Sequence, residues 1–305
     1  MKKVSIFLLI PVLLGCKSNS KNKARTEYDI EHIVIFGVDG AGGEFENIDT
    51  PNFDRVFGGG SINYHGVAVS PTISAQNWGS MTYGVGPEVH QKTNAYIASN
   101  KHEDESLPSF IRTYAKSHPR ATYFSSVNWK PINYGLFEDI PRLEKCNITE
   151  LYPDLGSSEV DEKVALSVVE RLQTHADTIV FTHFDSVDHA GHSNGNQSNE
   201  YKNAIKHIDE QIGLIYDAYK SKNLLNTTLF ICVSDHGHTE AGGHGGESPS
   251  EKAVTIAVSG GVDKIIQGSC DSYSTTDLAP IVLHALKEDI PSHYSGRVPN
   301  NMFKF

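Results

Sequence analysis

Residues 227–246, TTLFICVSDHGHTEAGGHGG, decide how the rest of the chain is read. Five apolar residues, Leu229-Phe230-Ile231-Cys232-Val233, stop abruptly at Ser234-Asp235-His236. A short apolar run rich in β-branched and aromatic residues reads as a strand buried on both faces, which is the habit of parallel sheets. Open α/β sheets bind their ligands beyond the carboxyl ends of the strands. Asp235 and His236 stand at such an end, and the glycine-rich continuation adds His238 and His244. Asp and His are the oxygen and nitrogen donors that divalent metals take.

Two more strands end the same way. Ile33-Val34-Ile35-Phe36-Gly37-Val38 runs into Asp39-Gly40, and Thr178–Phe184 runs into Asp185-Ser186-Val187-Asp188-His189-Ala190-Gly191-His192. Asp188 and His192, four apart past a strand end, can converge on one ion. The glycines of GVDGAGG (37–43) lack both the spacing and lysine of a P-loop and the GxGxxG of a dinucleotide fold, so Asp39 is read as a metal ligand. Further strands are expected over Ser61–Ser70, Ala121–Ser126 and Ala253–Val258. Helices are expected from Thr50-Pro51, with Thr50 as cap and Pro51 at the first position, over Leu107–Ser117, and along Val160, Val164, Val168 and Leu172. A longer one follows the stripe Tyr201, Ile205, Ile208, Ile212, Ile215 and Tyr219, and the last opens at Thr276-Asp277-Leu278.

Strands alternating with helices predict an α/β fold: a mostly parallel central sheet with helices on both faces, in one domain over 31–305. Residues of about 88–158 are less regular and are expected to form, in part, a small cover over the ligand edge. Trp129, Lys130 and Tyr134 in that stretch are candidate substrate contacts, although ordinary packing accounts for them equally well. Ser74 in SPTISAQNWGSMTYGVGPEVH (70–90) falls at a helix start, where free N–H groups favour anions; taken alone, it reads first as a capping residue.

The 305 residues carry a formal charge of −11 and no basic stripe, so binding to a nucleic-acid polymer is not expected. The 15 histidines suit a metal protein. Met1-Lys2-Lys3 precedes an apolar run, Val4–Leu14, too short to span a bilayer. Leu13-Leu14-Gly15-Cys16 resembles a bacterial lipobox. It predicts a signal peptide over 1–16, a lipidated Cys16 and a tether over 17–30, hence an extracytoplasmic, membrane-anchored lipoprotein, with plain secretion or an uncleaved anchor as the alternatives. Cys232 reads as a buried thiol. Cys146 and Cys270 could pair in an oxidising compartment, and no CxxC marks a cysteine zinc site.

Together these segments resemble the alkaline phosphatase superfamily and, within it, the type I phosphodiesterase/nucleotide pyrophosphatase group, across nearly the whole chain after the leader and in the family's order. IVIFGVDG matches its first metal-aspartate strand, residues 70–90 its nucleophile segment, DHAGH its D-x-x-x-H, VSDHGHT its strand-end Asp-His, and GGHGG its last histidine; TTDLAPIVLHAL resembles the superfamily's C-terminal helix. The resemblance implies two divalent ions, zinc by preference for mixed Asp/His sites. Asp39, Asp235, His236 and the Ser74 oxygen would hold one, and Asp188, His192 and His244 the other, with His238 left outside as a supporting or loop residue. It further implies attack by Ser74 on phosphorus, a phosphoserine, and donation from Asn77 to a non-bridging oxygen. Ser74-Ala75-Gln76-Asn77 lacks the Pro and Arg of a sulfatase signature. His90 is followed by Gln91 where the family often has Gly. Asn77 favours phosphodiesters, as in nucleotide pyrophosphatases; Lys130 or Arg297 would shift the preference to monoesters. A small phosphate ester is therefore the expected partner. A phosphomonoesterase or phosphotransferase on the same site is the alternative, and a surface-lipoprotein module binding metal or glycan the non-enzymatic one.

Overall fold

A computed structural model describes residues 29–99 and 106–304. Cys16, the leader and nearly all of the expected tether lie outside the described residues, as does the polar run 100–105.

Seven strands form one sheet: β1 (His32–Val38), β2 (Ser61–Val67), β3 (Tyr123–Val127), β4 (Leu143–Asn147), β5 (Ile179–Phe184), β6 (Thr228–Ser234) and β7 (Ala253–Gly260). Their order is β2-β7-β6-β1-β5-β3-β4. Every pairing among β6, β1, β5, β3 and β4 is parallel, and β7 alone runs against the rest. The near-continuous apolar runs of β1, β5 and β6 sit at the centre and are buried throughout, as strands covered on both faces must be.

Alternation along β1 divides the core. Ile33 and Ile35 join the cluster packed under the helices Ser74–Tyr83, Phe110–Ser117 and Leu278–Ala285. Val34, Phe36 and Val38 join the cluster under Pro51–Phe57, Ser157–Arg171 and Asn199–Ser221. All six residues of the stripe Tyr201 to Tyr219 are buried there. Burial of each such side chain is worth roughly 1.5–3 kcal/mol, so the layer architecture follows from residue pattern.

Four expectations change in detail. Residues 88–158 supply, besides the expected strand β3, the edge strand β4, which the sequence reading did not include. Thr50 precedes its helix as expected but caps nothing with its side chain; the Asp209 carboxylate takes the free N–H groups of Asn52 and Phe53 at 3.1 and 2.6 Å. Ser74 is the first helical residue, not the cap, which is Ile73. Cys146, Cys232 and Cys270 are free thiols; Cys146 packs on one face of the sheet and Cys270 on the other. Among the described residues, no helix is long and apolar enough to cross a membrane.

Candidate active site

The site is built where three parallel strands end level. Val38 of β1 is in register with Phe184 of β5 and Ser234 of β6. Asp39, Asp185 and Asp235 are therefore the first residues past adjacent strand ends. The helix Ser186–Asn194 then starts at once and stacks Asp188 and His192 one turn apart. Gly40, at φ +71°, lets the chain turn there: a Cβ on it would lie 2.7 Å from the His238 ring and 2.8 Å from the Asp188 backbone. The helix Ser74–Tyr83 aims its N-terminus at this edge. Ser74 Oγ lies 3.1 Å from His236 Nε2 and 3.5 Å from Asp39 Oδ1.

Two of the resulting groups of donor atoms match the expected ligand sets. Asp39, Asp235 and His236 form one, wholly buried, and Asp188, His192 and His244 form the other. In the first, His236 Nε2 is 3.3 Å from both Asp39 Oδ1 and Asp235 Oδ2. In the second, His192 Nε2 is 3.4 Å from Asp188 Oδ2, and His244 Nε2 is 3.6 Å from Asp188 Oδ1. The His236 and His244 rings stack at 3.7 Å between centroids, joining the two.

Outer contacts aim these ligands. Asp39 Oδ2 accepts from Trp78 Nε1 and from His183 Nε2, both at 2.9 Å, which leaves Oδ1 on the Ser74 side. Gly40 N–H donates to Asp235 Oδ1 at 3.0 Å. His244 Nδ1 lies 2.7 Å from the Thr72 carbonyl, an obligate acceptor, so Nδ1 carries the proton and Nε2 keeps its lone pair. His238, fully buried, places Nε2 2.9 Å from Asp188 Oδ1 and braces that carboxylate.

Without a cation, the first cluster balances its charge only by holding protons. Burial, then the charge of Asp39, raises Asp235 well above the carboxylate range, and its Oδ2 has no hydrogen-bond partner. Burial opposes ionisation of Asp39 too, but hydrogen bonds and charge from His183 and His236 hold it well below that range. His236 is raised to about 10: burial works against it, and Asp235 and Asp39 prevail. A proton on His236 thus supplies the positive charge that a metal would displace. Buried, crowded carboxylates with an orphaned oxygen, beside His244 held in the ligating tautomer, fit divalent ions.

The cavity over both clusters has a volume of about 230 Å³ and is lined by Asp39, Ser74, Asp188, His192 and His244, together with Asn94, Trp129 and Asp185. All seven predicted ligands are therefore brought together at one strand edge. Other predictions are displaced. Asn77 is fully buried and binds its own loop: Oδ1 accepts from Val69 N and Thr275 Oγ1, and Nδ2 reaches the carbonyls of Val69, Pro71 and Ile73. It holds the approach to Ser74 and does not line the cavity. Trp129 lines the cavity, but Lys130 pairs with Glu150 at 2.5 Å beside Tyr134, and neither borders the cavity. Arg297 is engaged with Asp271, Ser272 and Asp277 elsewhere.

The sequence reading missed Trp78, His183, Asn94 and Asp185. His183 and Asp185 sit on the same strand exit as Asp188, a signal that was present. Trp78 and Asn94 carry none, since one sits on a helix and the other reaches in from a segment twenty residues away to accept from Ala75 N through Oδ1 at 2.9 Å.

Comparison with known proteins bears on this geometry. A family model described as type I phosphodiesterase / nucleotide pyrophosphatase matches residues 33–247. GPI ethanolamine phosphate transferase 2 of Aspergillus fumigatus is 24% identical over 72% of this chain and 29% of its own length. The catalytic subunit of human GPI ethanolamine phosphate transferase 3 is 24% identical over 61% of this chain and 16% of its own length. The chain thus spans less than a third of these curated relatives. Among solved structures, murine ectonucleotide pyrophosphatase / phosphodiesterase 5, an inactive T72A form with AMP, superposes with a TM-score of 0.65 at 14% identity, over 88% of this chain and 98% of that one. A 2-O GAG sulfatase superposes at 0.63 and 14%, over 88% and 73%. At these identities the structures speak for the fold, an α/β architecture common to both.

Proposed function

The chain belongs to the type I phosphodiesterase / nucleotide pyrophosphatase family, and from that membership we propose that it cleaves a phosphodiester through Ser74 and passes the phosphoryl unit to an acceptor hydroxyl, water included. The observation that carries this reading is the Ser74 hydroxyl at a helix N-terminus, within 3.5 Å of Asp39 and His236 at the mouth of both donor clusters. Divalent ions, zinc by donor chemistry, held by Asp39, Asp235, His236 and the Ser74 oxygen and by Asp188, His192 and His244, would acidify the serine hydroxyl and offset charge on the phosphoryl oxygens.

The protein's own groups do the rest. Ser74 Oγ forms a bond to phosphorus as the bond to the departing alcohol breaks, and the serine proton ends on that alcohol. The acceptor hydroxyl then attacks phosphorus, the bond to Oγ breaks, and the proton returns to Ser74. Asn94, its Oδ1 held by Ala75 N–H, offers Nδ2 to a non-bridging oxygen, the part sequence reasoning gave to Asn77. Among the residues lining the cavity there is no lysine or arginine, which supports a diester over a doubly charged monoester. The names of the relatives favour transfer over plain hydrolysis and make ethanolamine phosphate the first donor group to test. A lipid anchor at Cys16 would keep this chemistry at an extracytoplasmic membrane face; labelled fatty acid retained by the full chain and lost on Cys16→Ala checks it.

The test is Ser74→Ala. Zinc-supplemented wild type should turn over an aryl phosphodiester, label Ser74 with the phosphoryl group that keeps the second ester arm, and partition product between water and an added amino-alcohol or sugar acceptor. The variant should lose ~10³-fold or more in turnover. Wild-type rates in the variant would remove Ser74 from the mechanism. A wild type that binds metal but turns over neither aryl monoester nor diester would favour the binding-module alternative.

A further inference from the structure

The proposed reaction leaves one carboxylate of the cavity without work. Asp185 lines the same space as Ser74 but belongs to neither set of three ligands assigned above. It occupies the N-cap position of the helix Ser186–Asn194, where an aspartate ordinarily turns its carboxylate onto the helix's free N–H groups. Here it does not: no side-chain cap bond forms. Asp161 has taken over that task from the neighbouring helix. Its Oδ1 accepts from Asp185 N at 3.0 Å and its Oδ2 from Ser186 N at 2.9 Å. Among the described residues, the Asp185 carboxylate makes no hydrogen bond and no ion pair. A carboxylate relieved of capping, partly buried at a cavity wall and without a hydrogen-bond donor, is costly to keep ionised unless a cation arrives with the substrate.

The other unused wall is Trp129, placed by the turn after β3. An indole ring and a carboxylate on the walls of one cavity make a receptor for an alkylammonium group: the ring quadrupole attracts the cation and the carboxylate neutralises it. Resting on the phosphodiester reading above, we propose that Asp185 and Trp129 form an ammonium subsite, so that the diester accepted by Ser74 carries an amine or quaternary amine on one ester arm. The metal-type grouping of Asp39, His183 and Asp185 offers a rival occupant, a third ion. It is disfavoured because Asp39 Oδ2 is already held by His183 and Trp78, and an ion there would have to break those bonds.

The test compares wild type with Asp185→Asn and Trp129→Leu on two aryl phosphodiesters of similar size, p-nitrophenyl phosphocholine and propyl p-nitrophenyl phosphate. Wild type should prefer the cationic diester in kcat/KM, and each variant should lose about tenfold or more on it while holding its rate on the propyl ester. Equal losses on both esters, or none, would overturn the subsite. Calorimetric binding of O-phosphoethanolamine against propyl phosphate reads the same subsite without turnover, so a failure of catalysis and a failure of the subsite are separable: no preference in wild type overturns the proposal even if both diesters are cleaved. Metal content settles the rival, since three ions in wild type and two in Asp185→Asn would assign the carboxylate to a metal instead.

Discussion

The Nε2 atoms of His192 and His244, 52 residues apart in the chain, face each other at 3.0 Å. Two imidazole lone pairs at that distance repel unless a proton or a metal lies between them. His244 is lowered to about 4, first by burial and then by the charge on His236, so it is neutral at pH 7 and ready to ligate. Replacing His244 with alanine should therefore reduce bound metal from two ions per chain to one, with far-UV circular dichroism unchanged. Retention of both ions, measured by plasma emission on the dialysed protein, would take His244 out of the set.

Sequence reasoning gave Asn77 the task of substrate donor; in the fold Asn77 holds the approach to Ser74 and Asn94 lines the cavity. Asn77→Ala breaks a buried set of bonds to Val69, Pro71, Ile73 and Thr275 and should cost roughly 3 kcal/mol or more in urea unfolding. Asn94→Ala gives up one bond, from Ala75 N–H, so it should cost only about 1 kcal/mol and lower kcat by about 10²-fold. The reverse result would restore Asn77 as the substrate donor.

Trp78 acts on the site through Asp39. Trp78→Phe keeps most of the ring in its buried slot but removes the Nε1–H that holds Asp39 Oδ2. Loss of such an outer contact typically weakens metal binding by ~10–100-fold. Competition with a zinc chelator measures it, and an unchanged affinity would mean that His183 alone orients the carboxylate.

His90 provides a pH signature apart from the metal ligands. Its ring is buried, with Nδ1 accepting from Lys92 N at 3.0 Å and Nε2 3.1 Å from the Gln76 carbonyl. Burial lowers it from the usual 6.5 to about 4. Between those values the unfolded chain binds more protons than the folded one, so stability rises with pH across the window. The contribution is complete above 6.5 and lost as pH falls toward 4, amounting to roughly 3 kcal/mol. With metals chelated, His90→Gln should flatten the fall in unfolding midpoint between pH 7 and 4; an unchanged slope would assign the effect to other groups.

Much of this molecule is written locally. The apolar runs at 33–38, 179–184 and 229–233 are buried because they are apolar on both sides, and such strands must lie side by side under two helical layers. The stripe from Tyr201 to Tyr219 packs for the same reason. Strand exits also reveal chemistry, since a carboxylate or imidazole straight after a buried strand sits at the ligand edge. That is why Asp39, Asp188, His192, Asp235, His236 and His244 could be named without coordinates.

What the sequence by itself determined, then, is the layer architecture, the acidic and imidazole side chains that gather at the strand exits, and the position of Ser74 at a helix start. Only the tertiary structure decided which polar side chains turn inward. Asn77 and Asn94 are both plausible donors by residue type, yet one is consumed by its own loop and the other stands at the cavity. Asp185 is an N-cap residue by position, but Asp161, 24 residues earlier, satisfies the helix in its place and leaves it facing the cavity. Such outcomes depend on hydrogen-bond partners brought from distant segments, and periodicity along one strand or helix carries no record of them.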